Sequence, residues 1–201
     1  MTTMSLFPRG RVAFFVTSNV YKVQEARRVL AEYRVATAIL RVEVPEIQDD
    51  DTENIAKASA EEAARRSNLP VMVEDAGLFI EGLGGFPGPY SSYVYRTLGT
   101  EGVLKLMRGV NQRDAHFRSV VAFCDPGAVL RSFQGRVEGR ITWKERGSSG
   151  FGFDPVFEPS GSRGRTFAEM TMQEKNRYSH RAKALRKFAR WYVSTFRRGS
   201  K

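Results

Sequence analysis

The residues able to do chemistry fall in separated stretches. Thr17-Ser18-Asn19-Val-Tyr-Lys22 sets hydroxyls, an amide and a lysine between an apolar run and a helical pattern. A helix N-terminus has unpaired N–H groups and a positive dipole end, which suits a phosphate. The GxxxxGK[ST] spacing of a P-loop is absent, and a plain N-cap with a solvated lysine fits the same residues. Glu74-Asp75-Ala76-Gly77 follows the apolar run Val71-Met-Val73. A carboxylate at a strand end beside a glycine turn can bind Mg²⁺ and take a proton from water, or simply cap the turn. Because side chains alternate along a strand, Glu74 and Asp75 should face opposite sides unless the strand has already ended. Glu46 is the natural second carboxylate for Mg²⁺, while Asp49, Asp50 and Asp51 read as a solvated run that caps the next helix. Lys57 lies on that helix.

Phe151-Gly152-Phe153-Asp154 belongs to the stretch SGFGFDPVF (149–157). Aromatics spaced by glycines let a ring lie flat on a planar ligand, although a turn packed on the core would use the same residues. Lys175 and His180-Arg181 stand near the start of the last helical pattern. In one uninterrupted helix Lys175 and Arg181 would be about 240° apart, so bringing them together needs a break, and Ser179 is a capping candidate for one. With His116 as the only other histidine and Cys124 as the only cysteine, a zinc cluster, a CxxC pair and a disulfide framework are all excluded.

These residues need a scaffold, and the pattern supplies one. Strand-like runs at 11–17, 36–44 and 71–74 alternate with helical patterns at 20–33 and 52–67, which predicts an α/β sheet. GLGGFPGPY (82–90) reads as a loop, followed by helical segments at 91–98 and 100–107. The runs 116–124 and 129–137 predict a hairpin about Asp125-Pro-Gly127, and 140–145 a further strand. Thr171 and Glu174 match a capping box, and Tyr178, Ala182, Leu185, Ala189, Tyr192 and Phe196 form one stripe of the terminal helix.

The chain has 201 residues with 41% hydrophobic and 27% charged, which argues for one globular domain rather than disorder. The net charge of +10 is local: residues 171–201 carry ten Lys/Arg and one acid, leaving 22 basic and 21 acidic residues before them. A basic field attracts any polyanion. A basic nucleic-acid-binding domain is therefore one alternative, with Tyr178, Phe188, Trp191, Tyr192 and Phe196 interleaved among the cations. The lone cysteine suits a reducing, cytoplasmic setting, and the apolar run near the N-terminus is too short for a signal core or a membrane span.

In the order they occur, TSNVYK (17–22), PEIQ (45–48), VEDAGL (73–78), GGFPGPY (84–90), GFGFDPVF (150–157) and EKNRYSHRAKAL (174–185) resemble the inosine triphosphate pyrophosphatase family. The resemblance implies one domain over 1–201 with an elongated, two-lobed mixed α/β fold and a central cleft, a homodimer, no membrane and no specific nucleic acid. It implies Mg²⁺-dependent hydrolysis of ITP, dITP and XTP to the monophosphate and pyrophosphate. Thr17, Ser18, Asn19 and Lys22 would then hold the triphosphate, with Lys57 and Lys175 as further ligands. Glu46 and Asp75 would hold the metal, Asp75 acting also as general base. Phe151, Gly152, Phe153 and Asp154 would form the base pocket, and His180 and Arg181 would read the purine edge. Many members have serine where Ala76 stands, which leaves only its backbone for a substrate contact, and some have a lysine where Ser91-Ser92 follow the PGPY loop. A related pyrophosphatase acting on dTTP or UTP is the nearer alternative.

Overall fold

Short β-branched and aromatic runs, separated by capped helices, give the first half of the chain its strand and helix alternation. The computed structural model describes residues 11–45, 47–127 and 129–196, the side chain of Phe196 excepted. β1 (Val12–Val16) lies between β2 (Ala36–Leu40) and the start of β3 (Val71–Ile80), all parallel. α1 (Val20–Ala31) and α2 (Thr52–Ser67) make the crossovers. Asn19 caps α1, Asp51 caps α2, and Asn68 ends α2 in the left-handed region.

An antiparallel extension follows. The short β4 (Pro87–Gly88) pairs with the far end of β3, and α3 (Ser91–Leu106) breaks at Gly99, whose φ of 64° separates the two helical segments read from the sequence. β5 (Asp114–Asp125), β6 (Val129–Ile141) and β7 (Phe157–Pro159) complete a sheet of order β2-β1-β3-β5-β6-β7. A capping box of Thr171 and Glu174 starts α4 (Met172–Tyr178), and extended backbone at Ser179 separates it from α5 (His180–Phe196).

Three strand limits differ from the sequence reading. β3 continues to Ile80, because β5 pairs with it from Val71–Cys124 to Ile80–Ala115. Glu74 and Asp75 are consequently mid-strand, not in a terminal turn. β2 stops at Leu40, where its partner β1 ends at Val16. No separate strand forms over 140–145: β6 runs unbroken to Ile141, and Arg113 then donates to the carbonyls of Ile141 and Thr142, holding the chain as it leaves the sheet.

Two larger cores lie along β3 and β5. Phe15, Leu30, Met72, Val121, Phe123, Leu185 and Phe188 pack between the sheet, α1 and α5. Leu78, Ile80, Val103, Phe117, Ile141, Phe157 and Phe167 pack at the other end. Glu74 to Gly77 cross the interval between them, while Ala56 and Ala60 of α2 cover Val120 and Ala122 on the opposite face of the sheet. Phe188 and Tyr192 are core residues, which removes them as stacking platforms for a nucleic acid.

Helix α5 approaches β6 at Gly135. A methyl group there would stand 2.0 Å from the carbonyl oxygen of His180 and 2.6 Å from the Ala184 nitrogen. Backbone atoms have little room to yield, so Gly135→Ala should destabilise the fold by about 3 kcal/mol or more, measured by urea unfolding. An unchanged midpoint contradicts this close packing.

Candidate active site

The loop after β1 is built by its own polar side chains. The Asn19 N–H donates to Thr17 Oγ1 at 3.1 Å, and Asn19 Oδ1 accepts from the N–H groups of Tyr21 and Lys22 at 3.0 and 3.2 Å. Ser18 is exposed between them. This cap aims the Lys22 side chain across to β3, where Nζ lies 3.0 Å from Glu74 Oε2 and donates to the Glu74 carbonyl at 3.0 Å. The lysine is thus more than a solvated charge at a helix start.

From Glu74 an alternating chain of ions runs inward. Glu74 Oε1 accepts from Ser119 at 2.6 Å and from Arg181 Nε at 3.0 Å. Arg181 Nη1 reaches Glu25 Oε2 at 2.6 Å, Glu25 Oε1 lies 2.7 Å from Lys175 Nζ, and Lys175 donates to Asp154 Oδ2 at 2.6 Å. Asp154 Oδ2 also accepts the Phe151 N–H at 2.9 Å, which ties down the glycine-rich loop. Lys175 and Arg181 meet here because the extended Ser179 breaks the helix between them.

Burial and charge oppose each other along this chain. Burial works to raise the Glu74 carboxyl, but Arg181 and Lys22 outweigh it and hold it well below the ordinary carboxylate range. Glu25 is lowered the same way, by Arg181 and Lys175 against its own burial. Asp154 goes up instead, because its burial exceeds what Lys175 returns. His180 lies flat on Phe117 with ring centroids 4.5 Å apart, and burial, with the charge of Arg181, pushes its imidazole well below 6.5. Its Nδ1 is buried with no hydrogen-bond partner among the described residues.

Asp75 is half-buried on the other face of β3, opposite Val120 on the side covered by α2. Ala76 lies opposite Ser119. Phe151 faces the crevice, stacked on Tyr21 with centroids 5.2 Å apart and 4.8 Å from Lys175 Nζ. Phe153 instead enters the far core, edge-on to Tyr95, and Gly152 takes a φ of 63° between the two rings. Lys57 pairs with Glu53 at 2.6 Å. Glu46 lies outside the described residues. Ser91, which follows the PGPY loop, is structural: its hydroxyl accepts from the Leu78 N–H and donates to the Gly88 carbonyl, both at 2.7 Å.

Sequence reasoning missed Glu25 and Ser119. Glu25 follows Lys22 by three positions and falls between Val23 and Ala26 on the buried side of α1. An acid on that stripe was the available signal; Ser119 has none. A cavity of about 300 Å³ lies between Tyr21, Gln24 and Glu25 of α1, Ser149 to Phe151, and Phe167, Met170 and Lys175. Hollows of about 620 and 410 Å³ beside Trp143 contain none of the predicted residues.

Fold and site define a mixed-sheet α/β protein in which buried cations stand beside an aromatic wall. Similarity makes this specific. The chain belongs to the Ham1 family, whose sequence model matches residues 13–191. It is 52% identical over 177 residues to a dITP/XTP pyrophosphatase of Thermococcus kodakarensis, covering 88% of this chain and 95% of that one. A second dITP/XTP pyrophosphatase, of Methanopyrus kandleri, is 48% identical over 89% of this chain and 94% of its own. Among solved structures, a HAM1 protein from Coxiella burnetii superimposes with a TM-score of 0.78 at 27% identity, over 92% of this chain and 99% of the other.

Glu25→Gln would leave Lys175 and Arg181 short of charge in a buried setting, and should destabilise the protein by about 3 kcal/mol in urea unfolding; a loss below about 1 kcal/mol contradicts the central place given to Glu25.

Acid should destabilise too. His180 stays neutral when folded but binds a proton when unfolded, so stability falls as pH drops below its ordinary value of 6.5. Glu25 acts in the same sense below its ordinary 4.5, because the folded carboxylate stays ionised to lower pH. Asp154, raised by burial, acts in the opposite sense. Urea midpoints should decline from about pH 7 to 4. His180→Gln should flatten the limb between its ordinary 6.5 and about pH 5, leaving the contribution of His116, which burial also lowers. A midpoint independent of pH across that limb contradicts the neutral, buried imidazole.

Proposed function

We propose that this enzyme hydrolyses non-standard purine nucleoside triphosphates, ITP, dITP and XTP, to the nucleoside monophosphate and pyrophosphate. The observation that carries the reading is the ion chain from Lys22 to Asp154, which draws α1, β3, the 149–154 loop, α4 and α5 to one crevice. The names of the Thermococcus and Methanopyrus relatives support the same activity.

In this reading the α1 N-terminus, Thr17, Ser18, Asn19 and Lys22 hold the triphosphate, with Lys57 and Lys175 as further cations. Asp75 takes the proton from a water whose oxygen bonds to the α-phosphorus, while the bond from that phosphorus to the bridging oxygen breaks and pyrophosphate leaves. Asp75 suits this role because Glu74, the other acid on β3, is consumed by Lys22, Ser119 and Arg181. Among the described residues no three acids, histidines or cysteines cluster as metal ligands. Magnesium needs only one or two carboxylates beside substrate phosphates, so Asp75 would serve as one, with Glu46 as the other by the family resemblance alone. Bound Mg²⁺ would neutralise charge developing on the departing pyrophosphate.

The base lies against Phe151, whose loop Asp154 holds and Phe153 anchors in the core, with Gly152 between the two rings. His180 and Arg181 direct donors to its 6-oxo group, where ATP presents an amino group. Buried donors left facing another donor discriminate by roughly 10⁴. The proposal includes two lobes about the crevice, a homodimer and a cytoplasmic setting.

Pyrophosphate release from ITP, dITP, XTP, GTP, ATP and UTP, with and without Mg²⁺, tests the assignment. The 6-oxo purines should be cleaved and ATP and UTP spared. Asp75→Asn should lower turnover by about 10²–10⁴-fold while the fold persists by circular dichroism; near-normal turnover removes Asp75 as the base.

A further inference from the structure

Tyr21 has no role in the reading above, yet it sits over the base pocket. It is the second residue of α1, 47% exposed, and its ring lies within 13° of parallel to Phe151. The two rings come from segments 130 positions apart and meet where α1 and the glycine-rich loop face each other; both line the cavity of about 300 Å³. Two near-parallel aromatic faces on opposing walls accept a third flat ring once they part by one ring thickness, and base stacking on aromatics is tolerant of base identity. The Tyr21 side is the wall that can part, since its ring is exposed in the first turn of α1 while the Asp154 contact holds Phe151 in place. The cations are already in place, Lys175 Nζ at 4.8 Å and Arg181 Cζ at 5.4 Å from the Phe151 ring centre.

We propose that Tyr21 is a base-binding residue, and that the purine lies between Tyr21 and Phe151 with one ring on each face. The stacked pair closes the pocket in the empty protein and opens to admit the base. This rests on the nucleoside triphosphate reading and adds a second aromatic wall to it. The tyrosine hydroxyl takes no part, so the ring alone carries the effect.

Calorimetric titration of the wild type, Tyr21→Ala and Tyr21→Phe with IMP and with inorganic tripolyphosphate tests this. Tyr21→Ala should weaken IMP about tenfold or more, the scale of one base stack, and leave tripolyphosphate within about twofold. Tyr21→Phe should bind IMP within about threefold of wild type. Unchanged IMP affinity in Tyr21→Ala overturns the proposal, and so does an equal loss for tripolyphosphate, which would mark a merely structural ring. If the wild type cleaves ITP, these failures fall on Tyr21 alone. A wild type that neither binds IMP nor cleaves ITP overturns the functional reading and this proposal together.

Discussion

Glu25 holds two buried cations that repel each other, Lys175 at 2.7 Å and Arg181 at 2.6 Å, and much of the site follows from that single carboxylate. An isolated ion in a protein interior is costly, so each charge in this crevice stands against at least one opposite charge. The resulting order is Lys22, Glu74, Arg181, Glu25, Lys175 and Asp154, three bases alternating with three acids. No member can leave without stranding its neighbours. Such an arrangement confers specificity of geometry more surely than stability, because an apolar replacement of the whole set could pack as well.

The same constraint explains why α4 and α5 are separate helices. Lys175 and Arg181 both need Glu25, yet on one straight helix a rotation of about 240° would separate them and set them on different faces. The extended conformation at Ser179 turns the chain between them, and the capping box at Thr171 and Glu174 makes the preceding seven-residue helix stable enough to exist. Asp154 extends the constraint into the glycine-rich loop, since the oxygen that meets Lys175 also accepts the Phe151 N–H. An aromatic in a loop that could otherwise wander is thereby set beside two cations.

Much of this was legible in the sequence, and what was not has a physical reason. The caps at Asn19 and Thr171, the turn at Asp125-Pro-Gly127 and the break at Ser179 are local signals carried by a few neighbouring residues. The length of β3 is not local, because it is set by pairing with β5, more than 30 positions away. Phe151 and Phe153 look equivalent in a glycine-spaced motif, yet one faces the crevice and the other enters the core; that difference is fixed by Tyr95 and by the Asp154 contact. Glu25 escaped because an acid on a helix is usually solvated, and only the arrival of α4 and α5 buries it.

The extra length of β3 bears directly on the chemistry. Had the strand ended at Glu74, the two adjacent acids could have turned to the same side and shared one task. Continued pairing instead imposes strict alternation, so Glu74 meets Ser119 and Arg181 on one face while Asp75 lies opposite Val120 on the other. Adjacent carboxylates are thereby given different electrostatic surroundings. The first is locked as an ion by buried cations and serves to position Lys22 and Arg181. The second, half-buried, lies on the opposite face, toward α2. A strand that runs on past its apolar residues is therefore the means by which two neighbouring acids are set on opposite faces of one sheet.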